Sequence, residues 1–253
     1  MAKDVFKHYI ILSSSYSTGT RIGLDIVDDT IASEKATEAV SKAYGGKHVP
    51  FSVHSMCTGS PDWDSVVRYD PYFDDVKMID SVDRFVELVS CERYLKGTDV
   101  AKYILSKKEC THTRLEKLTY LCYAEYLCET GERLFDDKIY AFQYGPVVKS
   151  VYEKYRGSAE EDLGPEDDSR KLKTKVGMMA IRSRLMFAED GISKTYSIDR
   201  TLKKYGHMTA KELVRMTHSE QAPWTHVKRT GWHDEIPDDL IKEYHRFEVP
   251  NRR

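Results

Sequence analysis

The sequence predicts an α+β protein: a mainly helical C-terminal domain with one short β element, preceded by a small mixed α/β domain. Three observations lead there. Up to about residue 95, β-branched and aromatic runs alternate with helical stretches. From Thr98 onward the apolar residues recur at helical spacing. The one strand-like run in that second part, Lys138–Tyr144, is broken by Gly145-Pro146.

Val5–Leu12 reads as a strand, ended by a polar Ser13–Thr20 loop. Ala32–Tyr44 reads as a helix with Ser33 as its N-cap and Gly45-Gly46 as its stop. His48–Met56 reads as a second strand, placed at an edge by Pro50. Thr58–Pro71, with Gly59, Pro61 and Pro71, reads as loop. Ile79–Tyr94 puts Val82, Phe85, Val86 and Val89 on one helical face, and Gly97 closes it.

Thr98 then caps a helix to about Lys107 that buries Val100, Tyr103 and Ile104. Thr113 and Glu116 have capping-box spacing, so a helix is expected from there to Gly131. Its apolar residues lie on almost every side, which is the pattern of a central, enclosed helix. After the strand Lys138–Tyr144, Gly145 is free to take unusual dihedrals, and Pro146 suits the first position of a helix running to about Arg156. Val147, Val148, Val151, Tyr152 and Tyr155 form its apolar stripe. Residues 157–170 read as a solvated loop, and 171–195 is ambiguous between helix and strand. Ile198, Leu202 and Tyr205 make another helical stripe, stopped at Gly206. Thr209 and Glu212 form a second capping box, and Pro223-Trp224 begin a short last turn.

Composition excludes several classes of function. The net charge is −2, with 40% hydrophobic and 32% charged residues, so no global charge favours nucleic acid or anionic lipid. Residues 1–96 hold 11 Lys/Arg against 15 Asp/Glu, a net of −4, which argues against a DNA-binding module there. No apolar run approaches the ~18–20 residues of a membrane span, and no signal peptide opens the chain. Five cysteines (Cys57, Cys91, Cys110, Cys122, Cys128) without a CxxC pair make a poor disulfide framework, so a reduced, cytoplasmic protein is expected.

Sites of chemistry are equally scarce. Cys110 and His112 lack further ligands at metal-site spacing, and His218, His226 and His233 follow no ligand pattern. Neither GxxxxGK[ST], GxGxxG nor GxSxG occurs. Asp136-Asp137 sits in a turn, where aspartate bonds the backbone. No catalytic residue, cofactor or metal is expected. The tyrosines, 17 in all and densest at 120–155, remain, either as large rings with hydroxyls at the domain edge or as part of a protein-binding face.

The order of these pieces carries a resemblance. Leu115, Lys117, Leu118, Tyr120 and Tyr126 are followed by Gly131, Leu134, Phe135, Asp136 and Asp137. Ala141, Tyr144, Gly145, Pro146, Val147, Val148, Val151 and Tyr152 come next, and Tyr205-Gly206, Leu213, Thr217-His218 and Pro223-Trp224 close the series. Together they resemble the Panacea (SocA-like) antitoxin domain over roughly residues 97–248; residues 1–95 match no module of that family, and 157–195 fit it poorly. The resemblance implies a mainly helical domain, often carried on prophages, that neutralises a toxin by binding it and performs no chemistry. One branch of the family serves instead as an adaptor delivering its toxin to an ATP-dependent protease. The motif residues are carried over as framework: Lys117, Tyr120, Tyr126, Phe135, Asp136, Tyr144, Gly145, Pro146, Val147, Tyr152, Tyr205, Gly206, His218, Pro223 and Trp224.

The expected function is therefore that of an antitoxin whose partner is a toxin protein encoded by an adjacent gene, with residues 1–95 as an accessory domain for partner specificity. A proteolytic adaptor is the second reading. An enzyme using the Ser13–Thr20 loop is the third, and an autorepressor conflicts with the acidic N-terminus.

Overall fold

The computed structural model describes residues 4–15, 20–43, 51–156, 172–174, 177–227 and 233–248. Contacts divide the chain into two units, Met1–Tyr94 with Phe187–Glu189, and Leu95–Met186 with Asp190–Arg253.

The first unit runs β1 (Phe6–Ser15), β2 (Thr20–Val27), α1 (Thr30–Ala43), β3 (Phe51–Thr58), α2 (Trp63–Tyr69), a 3-10 turn at Pro71–Phe73, β4 (Val76–Met78) and α3 (Val82–Arg93). The strands form one sheet in the order β3-β1-β2-β4, antiparallel except for β2 and β4. Both faces are covered, which is why the centre of β1 reads as an unbroken apolar run. Ile10 and Leu12 pack with Val66, Phe73 and Val76 on one side. Ile11 packs with Ile22, Leu24, Ala36, Val40, Phe85 and Val89 on the other.

Several expectations for this unit need correction. Ser13–Ser15 are not loop but the end of β1, with Ser13 paired to Ile22 and Phe51. A strand flanked on both sides satisfies its backbone whatever its side chains; residues 16–19 lie outside the described part. Ser33 is buried inside α1, its hydroxyl donating to the Thr30 carbonyl at 2.8 Å, while Asp29 accepts the Ala32 N–H at 2.8 Å and so serves the helix start. Gly45-Gly46 also lie outside the described residues. The expected edge strand is described over 51–58, and residues 48–50 lie outside the described part. The Thr58–Pro71 stretch contains α2, a two-turn helix too short to show a period between its flanking breakers.

The second unit begins with α4 (Gly97–Lys107) and α5 (His112–Thr130). Gly97 opens α4 rather than closing α3, and its N–H donates to Asp137 at 2.8 Å. The α5 cap is Thr111, whose hydroxyl accepts the Arg114 N–H at 3.4 Å; Thr113, the expected cap, lies inside the helix and is buried. Gly131 ends α5 at φ 79°, the left-handed value expected of a glycine stop. Thirteen of its 19 residues are buried, as the all-round apolar pattern predicts.

Next come β5 (Ile139–Phe142), β6 (Gly145–Val148), α6 (Lys149–Tyr155), α7 (Met178–Met186), α8 (Gly191–Tyr205), α9 (Ala210–Thr217), α10 (Pro223–Val227) and α11 (Asp238–Tyr244), followed by a 3-10 turn at His245–Phe247. The ambiguous 171–195 stretch thus holds α7 and the start of α8. Inside it, Arg184 pairs with Asp99 of α4 at 3.1 Å, both side chains nearly inaccessible. The Thr209–Glu212 capping box forms as read, with the Thr209 N–H donating to Glu212 at 2.7 Å and the Glu212 N–H to the Thr209 hydroxyl at 3.3 Å. The Pro223-Trp224 turn is not the last element, since α11 follows it. The 157–170 stretch lies outside the described residues, among which no helix is long and apolar enough to cross a membrane.

Candidate functional site

Pro146 does not start a helix. It belongs to β6, opposite Ala141 of β5. In a strand each residue's N–H and C=O point the same way, and the Pro146 carbonyl points away from β5: it accepts from the Lys117 ammonium at 2.8 Å. A proline there removes no ladder bond. Two residues on, the Val148 N–H points to the same side and donates to the Glu116 carboxylate at 3.3 Å. Neighbouring charged side chains on α5 thus occupy the outer edge of β6, the place where another strand would pair. Burial pushes the Lys117 ammonium down to about 8, against the pull of Glu116 and Glu248. Burial raises the Glu116 carboxyl, which lies 3.4 Å from His112. The outer edge of β5 is occupied too: the Ala141 N–H donates to Asp234 and the Ile236 N–H to Ile139, both at 2.8 Å.

The turn between the strands is gripped from a second side. The Trp224 indole N–H donates to the Phe142 carbonyl at 2.7 Å. His218, its ring centroid 3.7 Å from that of Trp224, donates from Nδ1 to the Val214 carbonyl at 2.6 Å and places Nε2 3.4 Å from the Gln143 carbonyl. Gly145 sits between the two grips with φ 107°. A Cβ there would lie 2.9 Å from Lys117 Cε, 2.9 Å from Thr217 Oγ1 and 3.2 Å from His218 Cε1. Conformation and space each require glycine.

These contacts bring Lys117, Gly145, Pro146, His218 and Trp224 into one knot. Tyr152 borders it, 4.9 Å from Phe142 and 5.2 Å from His112 between ring centroids. Val147 and Pro223 are buried nearby in the same strand and helix, while Tyr144 is half-buried at the turn.

A second knot holds the chain's last described turn. The Tyr120 hydroxyl donates to Glu248 at 2.9 Å, and His245 Nδ1 donates to the same Glu248 oxygen at 2.7 Å. Tyr205 and Lys204 both donate to Glu125 at 2.6 Å, and His245 Nε2 lies 3.6 Å from it. Burial alone would lower the His245 pKa; Glu125 and Glu248 more than reverse this and raise it to about 9. Burial also raises the Glu248 carboxyl. Glu125 moves the other way: burial opposes its ionisation, but His245, Lys204 and Tyr205 together hold it well below the carboxylate range.

Of the remaining motif residues, Tyr126 and Phe135 are core, with Phe135 4.9 Å from Tyr123. Gly206 accepts from Arg114 through its carbonyl at 2.6 Å. Asp136 is exposed, and it is Asp137 that ties the turn to Gly97. Sequence reasoning missed Glu116, Glu125, His245 and Glu248. The available signal was the presence of Glu116, Lys117 and Glu125 on a helix otherwise apolar all round.

Residues 115–225 match the family model described as "Antitoxin SocA-like, Panacea domain". This segment, 115–225, is similar to the Panacea domain of SocA-like antitoxins. The chain is 24% identical over 139 residues to Antitoxin SocA of Caulobacter vibrioides (strain NA1000 / CB15N), an alignment covering 53% of this chain and 71% of that protein. No solved structure matches it. The matched Panacea segment runs from α5 to α10 and so contains the whole hairpin knot; the His245–Glu248 turn lies beyond it.

The first unit contains one arrangement with the outline of a hydrolytic triad. His8 places Nδ1 2.7 Å from Asp25 and Nε2 3.0 Å from the Thr58 hydroxyl. Its surroundings make it a structural clasp. His8 is fully buried, its Nε2 also lies 3.1 Å from the Ser60 carbonyl, and the Thr58 hydroxyl is shared with Ser60 and Ser65 at 2.7 and 2.6 Å. A hydroxyl proton divided among backbone and side-chain acceptors is not held for a base, as a nucleophile requires. The cluster secures the start of α2 against the sheet. Among the described residues, no group of three or more His, Cys, Asp and Glu is placed to hold a metal ion.

Proposed function

We propose that this chain is an antitoxin that neutralises a toxin protein by binding it directly, without chemistry of its own. The observation that carries this reading is the Panacea match over 115–225, coinciding with a rigid, internally bonded hairpin and helix framework. Most motif residues turn their polar groups inside the domain, so the contact surface is assigned to exposed side chains outside the motif. On α8, Ile192 and Tyr196 lie one turn apart and are 68% and 70% exposed, and Met179 on α7 is 72% exposed. Exposed Tyr, Met and Ile of this kind suit the desolvated centre of a protein interface, which typically covers ~800 Å² per partner. The acidic first unit adds partner specificity, and it speeds association with a toxin whose working surface is basic.

Co-expression tests it. The product of an adjacent gene is expected to arrest growth alone, to be tolerated with this chain, and to co-elute with it. Arrest that persists despite soluble antitoxin would refute direct neutralisation. Rescue that disappears when ATP-dependent proteases are deleted would instead establish the adaptor reading.

A further inference from the structure

We propose that a cavity between α4, α5 and α8 binds a phosphate-bearing small molecule of mononucleotide size. This inference is independent of the antitoxin reading, because it concerns a concave site within one unit.

The cavity encloses about 360 Å³, within the range of small-molecule sites. Lys107, Lys108, Arg114 and Lys203 line it against a single carboxylate, Asp199, an excess of three positive charges. Its wall is apolar, formed by Ile104, Leu118 and Leu202. A cationic rim over an apolar wall suits a ligand with a dianionic end and a flat, weakly polar body.

Part of this charge has a local explanation. Lys107 and Lys203 lie in the last turns of α4 and α8, where cations answer the carbonyl ends of the helices. Lys107 is also bonded to Asp199 at 2.9 Å, and Arg114 gives one Nη to the Gly206 carbonyl at 2.6 Å. What remains is unexplained by those roles. The Arg114 Nε is buried with no hydrogen-bond partner among the described residues, so the guanidinium charge is not fully answered inside the protein and adds to the positive field of the cavity. Lys108 and Lys203 stand exposed on the cavity lining, and no ion pair among the described residues engages either. Converging cations beside a low-dielectric wall concentrate anions from solution. Phosphate, at nearly two charges and three acceptor oxygens, uses such a site more fully than a single carboxylate does.

The test is calorimetric titration of the full chain at physiological salt with AMP, ribose 5-phosphate, adenosine and hexaglutamate. AMP is expected to saturate one site per chain. Adenosine, lacking the phosphate, should bind at least tenfold more weakly, and ribose 5-phosphate, lacking the flat body, several-fold more weakly. Lys108→Gln with Lys203→Gln should weaken AMP at least tenfold with unchanged circular dichroism. Lys35→Gln with Lys42→Gln, the same loss of charge on α1, should leave it unchanged. The proposal fails if AMP gives no saturable binding at millimolar concentration, or if both double variants behave alike. It also fails if adenosine equals AMP, or if hexaglutamate binds more tightly through the same lysines, which would make this a seat for an acidic protein segment.

Discussion

The two units solve the problem of burying a sheet edge or face in different ways. In the first unit a four-stranded sheet is sandwiched by apolar side chains, Ile10 and Leu12 on one face and Ile11 on the other. Apolar cores accept many combinations of similar volume, so such a unit leaves little trace in sequence beyond its pattern. In the second unit a two-stranded hairpin is too small to stand alone, and side chains from α5 and α10, with His218 at the end of α9, take its backbone polar groups one by one. Each of those bonds needs one residue type in one place. Residue identity therefore matters position by position from Lys117 to Trp224, whereas in the first unit the apolar pattern alone suffices.

The two units are expected to differ most at glycine. Gly145→Ala adds a Cβ to a backbone at φ 107° and presses it on Lys117 and Thr217. It should destabilise the second unit by about 3 kcal/mol or more in urea unfolding. Gly59→Ala, with nothing within 4 Å of the added Cβ, should change the stability of the first unit by less than about 0.5 kcal/mol. Equal effects would mean that the hairpin is not gripped as described.

Next in size is a pH effect confined to the second unit. His245 has a folded pKa raised to about 9, so its contribution is complete below its unfolded value near 6.5 and is lost as pH rises through 9. Lys117 is lowered to about 8; its buried charge opposes folding at neutral pH, and that penalty is relieved between about 8 and its unfolded value near 10.5. Stability should therefore fall from pH 6.5 toward 8–9, by roughly 1–3 kcal/mol, and then recover in part. His245→Gln should flatten the falling limb and Lys117→Met the rising one, each measured by thermal unfolding across pH 6–10.

Legibility followed the same division. The Thr209–Glu212 capping box and the enclosed character of α5 were readable from spacing and composition, although the α5 cap is Thr111 and not Thr113. The short elements were not: α2 and β4 are 7 and 3 residues long and depend on neighbours distant in sequence. Pro146 illustrates the limit, because its preference for a helix start is a local rule, overridden once Lys117 and Glu116 supply partners to an edge strand. The His8–Asp25–Thr58 clasp spans 50 residues and has no local signature.

A smaller effect sharpens the comparison at a single turn. Asp137→Ala removes the acceptor of the Gly97 N–H and should cost about 1 kcal/mol, whereas Asp136→Ala, at an exposed position, should stay within about 0.5 kcal/mol. Urea midpoints of the two variants decide it, and the reverse order would exchange the roles assigned to the two acids.

The central claim is that the Panacea motif builds the domain while exposed side chains make the contact. The most direct measurement is growth rescue, against the adjacent gene's product, by a chain carrying Ile192→Ser and Tyr196→Ser, two residues 68% and 70% exposed on α8. The variant is expected to fold with the wild-type melting temperature yet to lose rescue and co-elution. Full rescue by that variant would contradict it and move the contact elsewhere on the chain.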